Sequence, residues 1–102
     1  MSEDIDILGT KYKFILVKDE DFPTGEEGQN GGITKFFDKE IIINNDIEKK
    51  VEYNWIVRHE LLHALFFECG LPEYANDEKL VECFSYHIPK IIKMCKELGV
   101  EE

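Results

Sequence analysis

The sequence is short of bases, short of cysteines and free of long apolar runs, and each shortage removes a class of function. Twelve Lys and Arg stand against 22 Asp and Glu, a formal net charge of -10, and the bases nowhere form a stripe interleaved with aromatics. Phosphate neutralisation supplies most nucleic-acid affinity, so no nucleic-acid partner is expected. No stretch approaches the ~18 apolar residues of a spanning helix, and Met1 to Asp6 are acidic where a secretory leader is basic. A cytoplasmic protein without membrane association is therefore expected. Cys69, Cys83 and Cys95 are odd in number and widely spaced with no CxxC pair, which suits reduced, buried thiols better than a disulfide framework. A chain of 102 residues leaves room for one domain, 1–102, so any active site must share its core.

What is present reads as strands followed by helices. Lys11 to Val17 is rich in β-branched and aromatic residues and predicts a strand, with a short extended piece before it. Asp19 to Gly32 collects Pro23, Gly25, Gly28, Gly31 and Gly32 among acids and reads as an exposed loop. Ile33 to Phe37 and Glu40 to Asn44 pair as a hairpin about Asp38-Lys39, with Ile41-Ile42-Ile43 buried on at least one face. Asn44, Asn45 and Asp46 offer N-caps to a helix that meets neither Gly nor Pro from Ile47 to Cys69 and stops at Gly70 and Pro72. A second helix starts near Asn76 or Asp77, and Pro89 kinks it or begins a new segment ending before Gly99. The expected fold class is α+β, an antiparallel or mixed sheet of about three strands on a central helix and a second C-terminal helix.

The chemistry is concentrated in His59-Glu60-Leu61-Leu62-His63. At about 100° per residue, His63 falls near 40° from His59 and Glu60 near 100°, so both imidazoles reach one ion with the carboxylate beside them. Two histidines held four apart on a helix suit zinc, and a carboxylate next to the first ligand is placed to take a proton from water. Trp55, Ile56, Leu61, Leu62, Leu65 and Phe66 surround the motif on nearly every side of the helix, so its polar residues need a partner to justify their burial. A third protein ligand comes from the second helix. Glu78 and Glu82 share one face there with Ser85, next to an apolar stripe of Val81, Phe84 and Ile88.

Trp55 to Leu71, followed by Asn76 to Glu82, resembles the HExxH zincins of the gluzincin type, and within them small phage- and prophage-associated metallopeptidase-like proteins. The likeness spans residues 30–90. It implies a zincin-like fold and a zinc peptidase of a bacterial host cell acting on a peptide or protein, with Glu60 as general base. The metal ligands it implies are His59, His63 and Glu78, with Glu82 as supporter or alternative third ligand. It also implies that an edge strand, Glu40 to Asn44 or Ile33 to Phe37, receives an extended substrate, and that Tyr74, Tyr86, His87 or Tyr53 stabilises an oxyanion. The alternative function is a zincin-like module that holds zinc for stability and acts through a protein partner.

Overall fold

In the computed structural model, which describes residues 2–23 and 31–100, the chain opens on a hairpin. Strands β1 (Ser2–Ile7) and β2 (Thr10–Val17) pair antiparallel around Leu8 and Gly9, both left-handed at φ 51° and 91°. That mirror-image turn matches the twist of the strands it joins, and glycine takes its second position without strain. The expected short extended piece is thus a full strand. Strands β3 (Gly32–Lys35) and β4 (Glu40–Asn44) form the second hairpin, closed by Phe36 to Lys39 rather than by a two-residue turn, because Lys35 is opposite Glu40.

The two hairpins join through β2 and β4, which run parallel in the register Lys13–Glu40 to Val17–Asn44. The sheet is four-stranded and mixed, in the order β1-β2-β4-β3, one strand more than expected. Strand β4 is interior, which corrects its assignment as an edge. Its alternating side chains explain the isoleucine run: Ile41 and Ile43 face the helices with Tyr12 and Ile56, while Ile42 joins Ile33 and Phe22 on the opposite face. Burial on both faces requires apolar residues at consecutive positions.

Helix α1 (Lys50–Glu68) lies on the first of those faces, followed by the single turn α2 (Pro72–Ala75) and by α3 (Glu78–Glu97). Asn44 and Asp46 do not cap α1, whose N-cap is Lys49. They tie the end of β4 to the turn after β2: Asn44 Nδ2 donates to Asp19 Oδ1 at 2.8 Å, and Asp19 N donates to Asp46 Oδ2 at 2.7 Å. Short polar side chains that bond nearby backbone serve such turns as readily as caps. At its far end α1 is pinned by Glu68, which accepts from Thr10 Oγ1, Tyr12 Oη and Lys39 Nζ at 2.9, 2.6 and 2.7 Å.

Helix α3 begins as its sequence suggests, with Asp77 Oδ1 accepting from Leu80 N at 3.1 Å. Pro89 neither ends it nor starts a new segment. Proline has no N–H for the carbonyl four residues back, and that carbonyl, Ser85 O, instead accepts from Arg58 Nε at 2.8 Å. A side chain from α1 thus fills the gap that proline leaves in α3. The cysteines depart from expectation: all three are free, but Cys69 and Cys83 are exposed and Cys95 is half-buried. No helix among the described residues is long and apolar enough to cross a membrane.

Candidate metal centre

His59, Glu60 and His63 are buried in the middle of α1, with 3%, 5% and 7% of their surfaces exposed. Each presents a ligand atom within 4.8 Å of the others. Glu78 comes from the first turn of α3 and closes the cluster from outside. Its Oε2 lies 3.1 Å from His59 Nε2 and its Oε1 lies 2.9 Å from His63 Nε2. The cap at Asp77 fixes where α3 starts and hence where that carboxylate stands.

The donor set is compatible with a cation. His63 Nδ1 is bonded to the carbonyl of Ala75, which can only accept, so Nδ1 carries a proton and Nε2 is the nitrogen left to face Glu78, with a lone pair whenever a metal ion takes the place of its proton. A lone pair facing a carboxylate oxygen is repulsive unless a proton or a metal ion lies between them. Ligand atoms about 2.0–2.1 Å from a tetrahedral zinc stand about 3.3 Å apart, only slightly more than the two histidine–Glu78 spacings. A backbone carbonyl on the far nitrogen of a ligand histidine is also the usual means of fixing its tautomer. His59 differs: its Nδ1 is buried without a partner among the described residues, as is the indole nitrogen of the adjacent Trp55.

Glu60 is held from the opposite side by the edge strand. Thr34 Oγ1 lies 2.8 Å from Glu60 Oε1 and 3.0 Å from its carbonyl oxygen, while Oε2 has no partner among the described residues. Burial pushes the Glu60 carboxyl above the ordinary carboxylate range, opposed by the Thr34 hydrogen bond and by both histidines. Strand β3 approaches this closely because position 32 is glycine. A Cβ there would stand 2.7 Å from Glu60 Cγ and 2.9 Å from Ile56 Cγ2. Gly32 is buried in β3, which corrects its assignment to an exposed loop; residues 24–30 of that loop lie outside the described residues.

The remaining candidates are dispersed. Glu82 is exposed, its side chain has no hydrogen-bond partner among the described residues, and its carbonyl accepts from Ser85 Oγ at 2.9 Å. His87 is exposed and directs Nδ1 to the carbonyl of Cys83 at 2.7 Å. Tyr53 packs at the core margin, and Tyr74 sits 6.4 Å from Phe66. Tyr86 alone connects to the cluster, stacked at 5.2 Å on Trp55, which lies 5.2 Å from His59. Gly32, Thr34 and the Ala75 carbonyl support the site without belonging to the motif. Of the three, only the glycine before a β-prone run carried a sequence signal for close backbone approach. Comparison with protein-family models, with curated proteins and with solved structures gave no match for this chain.

Proposed function

We propose that this protein is a zinc-dependent peptidase of zincin-like fold, with His59, His63 and Glu78 holding the metal and Glu60 acting as general base. The observation that carries the reading is the convergence of two buried Nε2 atoms on one Glu78 carboxylate, with Glu60 beside them. Zinc held there would supply Lewis acidity to a water molecule and to a peptide carbonyl. Glu60 accepts the water proton on Oε2, since Thr34 engages Oε1, and passes it to the leaving amine. Burial suits the carboxyl to both halves of that transfer by raising its proton affinity. Strand β3, whose outer edge is unpaired among the described residues, lies beside Glu60 and offers main-chain groups to an extended peptide.

The test is Glu60→Gln. The substitution is expected to keep one zinc per chain while abolishing hydrolysis of an unfolded protein substrate; undiminished hydrolysis would refute the mechanism. A second reading is a zinc-stabilised module that acts through a protein partner. It is favoured by a mainly apolar surface groove lined by Leu8, Leu61, Leu65 and Ile88, a place where a protein partner could dock. That reading predicts zinc-dependent stability with no hydrolysis in the wild type.

A further inference from the structure

Strand β3 and helix α1 run side by side in the same direction. Gly32 stands against Ile56 and Glu60, Thr34 bonds to Glu60, and Phe36 stacks on Phe67, their rings 4.6 Å apart and within 9° of parallel. Phe67 follows His63 by four residues, as His63 follows His59, so one stripe of α1 carries two candidate metal ligands and then an aromatic ring. Phe37 meets that ring edge-on at 6.0 Å. The three rings therefore gather on the helix side of the sheet, about 7 Å of extended chain beyond Thr34.

Lys39 closes the cluster on the side of β2. Its Nζ lies 5.0 Å from the centre of the Phe67 ring and 5.5 Å from that of Tyr12, and its charge is committed to Glu68 at 2.7 Å. Phe37 has no such cover and is 90% exposed. A ring left in water gains by taking up apolar surface, and the neutralised lysine beside it gives the cluster no charge with which to select an acid or a base. What arrives there is set by the sheet edge. A peptide strand added to the unpaired edge of β3 passes Thr34 and Glu60, and its side chain two or three residues further along reaches the rings. We propose that Phe36 and Phe37, backed by Phe67, form a specificity subsite for one large apolar or aromatic side chain of an extended peptide. Its distance from the bond that is cut, two or three residues, rests on the peptidase proposal.

The test uses the full-length Glu60→Gln protein with zinc added and three labelled extended peptides, identical except for Phe, Ser or Glu at one central position. The Phe peptide is expected to bind about tenfold more tightly than the Ser peptide, as packing one aromatic side chain on others allows. Phe37→Ser in that background should shrink the preference to about twofold. Phe37→Lys should shift it toward the Glu peptide, which mere loss of structure would not do. Phe37 is exposed, and thermal unfolding checks that both variants stay folded. Binding of none of the peptides, equal binding of the Phe and Ser peptides, or a preference that both substitutions leave intact overturns the subsite. Hydrolysis is scored separately in the wild type: if the Phe peptide binds selectively and no peptide is cut, the peptidase proposal fails while the subsite stands as a peptide-binding feature.

Discussion

Thr34 and Glu68 mark two hydrogen-bonded carboxylates, Thr34 as the donor to Glu60 and Glu68 as the acceptor from Thr10, Tyr12 and Lys39, and a single substitution tests each. Thr34→Val keeps shape and deletes the 2.8 Å bond to Glu60 Oε1. Under the peptidase proposal, zinc content stays unchanged and hydrolysis falls by about 10–100-fold, as losses of groups that orient a site usually do. Equal activity in the two proteins would remove Thr34 from the mechanism. Glu68 is a stability residue whose carboxyl is held below its ordinary 4.5 chiefly by the Lys39 hydrogen bond, then by that of Tyr12. A depressed acid stabilises the fold fully above its ordinary value, and that contribution is lost as pH falls through the lower folded value. Glu68→Gln should therefore cost about 2 kcal/mol at neutral pH, and urea unfolding should show the deficit narrowing below pH 4.5. His59, Glu60 and His63 were legible as a unit because i and i+4 spacing on a helix fixes their relation without tertiary information. Thr34 was not, since its partner is distant in sequence and a threonine in a β-prone run has no distinguishing mark.

Close approach between elements decides how the site is built, and β3 meets α1 closely at Gly32. Gly32→Ala would drive a methyl group to 2.7 Å from Glu60 Cγ, so either the strand or the base must move. The expected result is a loss of about 1–3 kcal/mol in denaturant unfolding, together with reduced hydrolysis if the peptidase proposal holds. The joint between α1 and α3 makes a coupled prediction. Arg58→Met should cost about 1 kcal/mol with Pro89 present and much less in Pro89→Ala, where an alanine N–H can serve Ser85 O. Strictly additive changes in that double-mutant cycle would refute the compensation. Strands β2, β3 and β4 and helices α1 and α3 were readable from residue type and spacing, and the start of α3 from Asp77, whereas β1 as a full strand and the single turn α2 were not. The misplacement of β4 at an edge has a physical cause: consecutive isoleucines report burial on two faces, but only long-range pairing with β2 tells which strands supply the neighbours. Asn44 and Asp46 misled for a related reason, because capping and turn-bridging use the same side-chain chemistry.

For the molecule as a whole, the order of β-prone segments before helical ones pointed to the α+β class, whereas the mixed topology needed the pairing between hairpins that are far apart in sequence. Zinc bound only by the folded chain must also stabilise it. Under the zinc proposal, a chelator is expected to lower Tm on the order of 10 °C, with recovery on adding zinc and no such effect in a His59→Ala, His63→Ala double variant. In the proposed centre Glu78, rather than Glu82, joins the two histidines around one ion. It is tested most directly by zinc stoichiometry after equilibrium dialysis of the wild type, Glu78→Ala and Glu82→Ala. One zinc per chain is expected in the wild type and in Glu82→Ala, with a marked loss in Glu78→Ala; a zinc-free wild type, or loss of the ion in Glu82→Ala alone, would rule out Glu78 as the third ligand.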